Sequence, residues 1–102
     1  MIARVWHGAV PADWADAYHE YLRKTGIRDA SATPGNRGVR VLKRIDEDVA
    51  HFLFLSFWDS MDAIRAFAGE DVDRARYYPE DEIFLLELEP EVTHYEVLEG
   101  NP

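Results

Sequence analysis

The run Phe52-Leu53-Phe54-Leu55-Ser56-Phe57 is almost wholly apolar, and it passes through Trp58 into Asp59-Ser60 and a helical stripe. A short apolar run bounded by turn residues reads as a central strand covered on both faces. Asp59 or Ser60 stands where a helix cap belongs, and Asp62 follows in the first turn, where a carboxylate meets the positive end of the helix dipole. Met61, Ile64, Phe67 and Ala68 form the inner stripe of that helix, and Gly69 ends it. Trp58 therefore sits at the seam between a sheet and a helix layer, where a two-layer domain can open a pocket.

The rest of the pattern reads strand, helix, strand, strand, helix, strand. Residues 2–9 form the first strand, mixed in polarity. Pro11 suits the first turn of a helix, since its missing N–H would be unpaired there anyway. Trp14, Ala17, Tyr18, Tyr21 and Leu22 recur at helical spacing, with Asp13, Asp16, Glu20, Arg23 and Lys24 off the stripe, so packing in the core is the simplest use of these aromatics. Gly26 reads as the helix stop and residues 31–38, with Pro34 and Gly35, as a loop. Val39, Val41 and Ile45 alternate with Arg40, Leu42 and Arg44, as in a half-buried strand, and Asp46-Glu47-Asp48 is a turn. Residues 71–78 are a polar excursion with two tyrosines, Pro79 opens a short helix, and residues 92–98 form the last strand.

This order predicts a ferredoxin-like split βαβ sandwich of the α+β class: a four-stranded antiparallel sheet, order 4-1-3-2, with helices on one face. Right-handed crossovers are expected to set strands one and three side by side and parallel at its centre. The other face carries Leu53, Leu55 and Phe57. A bare apolar face of that kind calls for a partner, and a second copy packed sheet to sheet is the expected one.

Composition narrows the functions. The 102 residues make one domain, 1–102, large enough to bury a core without staples. There is no cysteine, which excludes disulfides, thiolate nucleophiles and zinc–thiolate sites. A net charge of −9 argues against nucleic acid and anionic lipid as partners. No apolar run is long enough for a membrane span, no signal-peptide pattern is visible, and a cytoplasmic protein is expected.

Four phrases carry a family resemblance: His51-Phe52-Leu53-Phe54-Leu55-Ser56-Phe57-Trp58, Ala63-Ile64-Arg65-Ala66-Phe67, Arg76-Tyr77-Tyr78-Pro79 and Val92-Thr93-His94-Tyr95-Glu96-Val97. In order, length and wording the chain resembles the antibiotic biosynthesis monooxygenase family of dimeric α+β barrels. The resemblance implies a homodimer. It also implies either a cofactor-independent monooxygenase acting on a small electron-rich phenol or quinol, or a non-catalytic dimer that binds a small aromatic. The haem-degrading branch of that superfamily resembles this chain but uses an Asn on the first strand, a Trp in the second helix and a His after it. Those places fall here on Arg4, Phe67 and Tyr77. None is retained, although tyrosinate can ligate ferric haem, and no cofactor is expected.

A cofactor-free site must hold a flat ring, stabilise a phenolate and exclude water. Arg4 is the candidate cation, with Tyr77 and His94 beside it as catalytic groups. Phe54, Trp58, Phe67 and Tyr78 are the candidate walls. The plain alternatives are that Arg4 pairs with an acidic residue, that Trp58 only packs, and that the two tyrosines serve a dimer contact. Arg4 and Trp6 share a strand face, so His7 points the other way. His7 and His94 are expected to be neighbours, with Glu96 as the only third ligand in sight. His51 is expected at the far end of the sheet, so no metal site is predicted. His94 is the more credible acid–base group. The turn at Gly35-Asn36-Arg37-Gly38 carries no function, and Glu80-Asp81-Glu82 reads as the charged first turn of a helix.

Overall fold

The computed structural model describes residues 1–101. Strands β1 (Ile2–Pro11), β2 (Asn36–Asp46), β3 (Val49–Trp58) and β4 (Thr93–Glu96) form one sheet of order β2-β3-β1-β4. A 3-10 turn (Ala12–Trp14) and helices α1 (Ala15–Lys24) and α2 (Gly26–Ala32) connect β1 to β2, while α3 (Met61–Ala68) and the short α4 (Asp81–Phe84) lie between β3 and β4. This is the expected ferredoxin-like sandwich in the expected order.

One expectation about the sheet is corrected. β1 and β3 are antiparallel, with Ile2 opposite Trp58 and Pro11 opposite Val49. Each crossover joins two parallel strands, β1 to β2 and β3 to β4, but a strand of the other pair is inserted between them. The inserted strand runs against both of its neighbours. The reversal matters for the histidines below.

β3 shows why side-chain alternation outweighs bulk hydropathy. Ala50, Phe52, Phe54, Ser56 and Trp58 are buried beneath the helices, while the alternate residue Leu53 is 36% exposed. Within one chain this strand is covered on one face, not two. The core is built on Val10, Tyr18, Phe52, Trp58 and Ile64, all nearly inaccessible. Each such side chain stabilises the fold by roughly 1.5–3 kcal/mol.

Local signals explain most element ends. The Ser60 hydroxyl accepts from the Ala63 N–H at 3.2 Å, and Gly69 closes α3 with φ 97°. Gly26 does not stop the helical region. Thr25 breaks the axis at φ −123°, ψ −98°, and α2 restarts at Gly26 and runs into the predicted loop. The glycine is needed for closeness instead, because a Cβ there would stand 2.9 Å from the Phe54 ring. Trp14 is also corrected: it lies before α1 and is 43% exposed, whereas Tyr18 and Leu22 take the core positions.

The segment between α3 and β4 is tied down from several directions. Ala75 N–H donates to Pro90 O at 2.9 Å, Val92 N–H to Asp73 O at 2.8 Å, and Leu86 N–H to Ala9 O at 2.9 Å. It forms the outer wall of the site.

Candidate functional site

The even-numbered residues of β1 and β3 face the helices, and α1, α2 and the segment after α3 close over them. A cavity of about 490 Å³, counted out to its mouth, lies between these layers. The centres of water-sized molecules have about 40 Å³ to occupy within it, so the space is narrow.

Arg4, Phe54, Phe67, Tyr77 and Tyr78 line this cavity, whereas Trp58 and His94 do not. Trp58 is fully buried behind the wall. Its indole donates to the Ser56 hydroxyl at 2.9 Å, and its ring stacks on Phe67 with centroids 5.5 Å apart. It supports a wall residue without touching the space. His94 lies opposite Arg4 on β4, with Nε2 at 3.1 Å from the Arg4 guanidinium and Nδ1 at 3.4 Å from Asp73. Burial and the Arg4 charge depress the histidine's pKa, so the neutral ring is favoured.

Arg4 is 4% exposed and, among the described residues, makes no carboxylate ion pair. Its guanidinium donates to the carbonyls of Val72 and, at 2.8 Å, Arg74. Burial lowers its pKa to about 10, so it remains a cation at neutral pH. Arg4 thus anchors the outer wall to β1 while presenting charge to the cavity.

Three lining residues have roles that pattern reading did not assign. Trp6 donates to the Tyr77 hydroxyl at 3.2 Å, and that hydroxyl donates to Glu89 O. The Trp6 ring lies across Gly8, where an added Cβ would be 2.2 Å from it. Tyr18 and Asp81 form a buried pair in the wall. The Tyr18 hydroxyl donates to Asp81 at 3.0 Å, and the Tyr78 N–H donates to the other Asp81 oxygen at 2.7 Å. Desolvation holds the Asp81 carboxyl above its usual pKa and pushes Tyr18 strongly upward. No pattern in the charged run 80–82 singles out Asp81, which opens α4 with Glu80 as its cap residue.

Contacts to α2 hold the wall residues Arg76 and Tyr78. Arg76 stacks over Phe67 and Tyr78, at 5.0 and 4.9 Å from the ring centroids. Asp29 on α2 accepts from the Tyr78 hydroxyl at 2.7 Å and lies 3.5 Å from Arg76.

The histidine arrangement differs from expectation. His7 is not beside His94, because β4 pairs only with residues 2–5 of β1. With β1 and β3 antiparallel, His51 instead reaches His7 on the uncovered face, at 3.0 Å, and Glu89 lies 2.6 Å from the other His7 nitrogen. Among the described residues no group of three or more His, Asp or Glu is arranged to hold a metal ion.

The sheet, the single helix layer and the aromatic cavity between them define a small α+β domain. The chain belongs to the antibiotic biosynthesis monooxygenase family, whose model matches residues 1–74. That match ends before Tyr77, Asp81 and His94. Among solved structures, the chain resembles a Nitrosomonas europaea protein described as an antibiotic biosynthesis monooxygenase, with a TM-score of 0.70, 15% identity, and coverage of 97% of this chain and 100% of that one. It also resembles a MhuD variant with two manganese protoporphyrin IX groups bound per active site, with a TM-score of 0.66, 16% identity, and coverage of 100% and 99%. At these identities the likeness concerns the fold. No curated protein matches the sequence.

The residues present here do not fit a porphyrin. Among the described residues no histidine lines the cavity, the Tyr77 hydroxyl is engaged by Trp6 and Glu89, and the space is narrow.

Proposed function

We propose that this protein is a cofactor-independent monooxygenase for a small, electron-rich phenol or quinol, which it oxidises to a quinone in the cavity between helices and sheet. The observation that supports this most is the convergence of a buried arginine and several aromatic rings on one cavity, in a chain of this family. The substrate itself is the reductant. Loss of the phenolic proton gives a phenolate, which passes one electron to dioxygen. The phenoxyl radical and superoxide then combine, forming a C–O bond. Proton uptake gives a hydroperoxide. Loss of the ring hydrogen from that carbon and cleavage of the O–O bond leave a quinone and water. One oxygen atom enters the product and the other leaves as water.

Each demand has a residue. Arg4 offers positive charge to the phenolate, Phe54 and Phe67 hold the ring, and Tyr77 and Tyr78 stand in the wall. A preorganised charge in a water-poor site is worth roughly 100- to 1000-fold in rate. We further infer a homodimer joined through the uncovered sheet face, with the helices outside.

Oxygen uptake with a panel of phenols and hydroquinones tests the reading. One dioxygen should be consumed per substrate, with one labelled atom in the product. Failure of the folded protein to bind or oxidise any member of the panel would overturn it.

A further inference from the structure

We propose that Asp81 is the general base of this cavity, acting through the Tyr18 hydroxyl, and that the site admits neutral phenols while rejecting aromatic carboxylates. The inference rests on the phenol-oxidising reading above and adds the group that takes the proton.

Asp81 is 4% exposed, yet its partners are a hydroxyl and a backbone N–H. Among the described residues no arginine, lysine or histidine forms an ion pair with it. Both of its oxygens accept hydrogen bonds, as those of a carboxylate do. A buried charge without an opposite charge is costly, and taking up a proton relieves that cost. Its raised proton affinity has the same origin. An aspartate needed only to hold the turn at Tyr78 could do so from the surface.

Tyr18 supplies the path. It is 1% exposed, lines the same cavity, and donates its own proton to Asp81 at 3.0 Å. Its oxygen is thereby left to accept from a ligand hydroxyl. When a phenol donates to that oxygen, the substrate O–H bond breaks and a Tyr18 O–H bond forms. The original Tyr18 O–H bond breaks as an Asp81 O–H bond forms. Tyr18 ends unchanged, Asp81 ends neutral, and the negative charge has moved to the phenolate in the cavity that Arg4 also lines. The total charge is conserved. An aromatic carboxylate brings a second negative charge and no proton to give, so it meets an ionised Asp81 that it cannot discharge.

The test uses 4-nitrophenol, whose neutral and ionised forms have different absorption spectra, at a pH where the free probe is neutral. The wild-type protein should bind it with the spectrum of the anion. Asp81→Asn and Tyr18→Phe preserve shape and should bind the probe in its neutral form, the ionised fraction falling at least about tenfold. 4-Nitrobenzoate should not bind the wild type and should gain affinity in Asp81→Asn. Equal ionisation of the bound probe in wild type and in whichever variant folds overturns the role of the pair and leaves phenol binding intact. If folded wild-type protein binds no phenol, the phenol-oxidising reading falls, and this inference falls with it.

Discussion

Arg4 combines two jobs whose loss separates in experiment. Arg4→Met removes the donors from the Val72 and Arg74 carbonyls, and each buried carbonyl left unpaired costs about 1–3 kcal/mol. The expected outcome is a lower midpoint in urea together with faster proteolytic cleavage within residues 71–78. Unchanged stability would show that the guanidinium does not anchor this wall. His94 gives the pH dependence a sign. Its folded pKa lies below the ordinary value of 6.5, chiefly through burial and then through the Arg4 charge. The unfolded chain therefore binds the proton first as pH falls. Stability should decline as pH drops below about 6.5 and should stop declining on this account once the folded ring is protonated. Replacing His94 with Gln should flatten that part of the stability–pH curve measured by thermal melting.

At the scale of elements, the positions that periodicity controls were legible, and those that tertiary approach controls were not. The Ser60 cap, the α3 stripe, the Asp46–Asp48 turn and the strand order follow from local spacing. A helix-ending glycine and a close-packing glycine look alike in sequence, and only the approach of Phe54 distinguishes Gly26 as the second kind. A seam position does not reveal which side of Phe67 the Trp58 indole takes, and the structure stacks it on that ring outside the cavity lining. Arg4, Phe67 and Tyr77 were chosen from the resemblance, whereas Asp81 was hidden in a charged run that looks solvated. Two changes probe the elements around the cavity. Gly8→Ala forces the Trp6 ring from β1, an overpacking cost of roughly 1–3 kcal/mol, and should weaken probe binding beyond its effect on stability. Asp29→Ala releases both Tyr78 and Arg76 from α2. Stopped-flow binding of 4-nitrophenol should then be faster in both directions, and unaltered rates would mean that the wall opens elsewhere.

The whole molecule presents two sheet faces with opposite fates. One lies beneath the helices. The other carries Leu53, Leu42 and Tyr95, exposed by 36%, 48% and 58%, together with the His7–His51 pair. Antiparallel register sets Leu42 beside Leu53 and Tyr95 beside Ala3, and the pairs Val5–Leu55 and Ala3–Phe57 lie between them on the same face. An exposed apolar patch of this kind favours self-association. A two-fold copy is the simplest closed arrangement, since one self-complementary patch satisfies both protomers. Sedimentation at micromolar concentration should give a dimer. Leu53→Asp places a carboxylate at the middle of the patch while leaving the helix-covered core untouched, so it should yield a folded monomer with native circular dichroism. A wild-type protein that sediments as a monomer would remove the dimer. A Leu53→Asp variant that stays dimeric would move the interface to another surface.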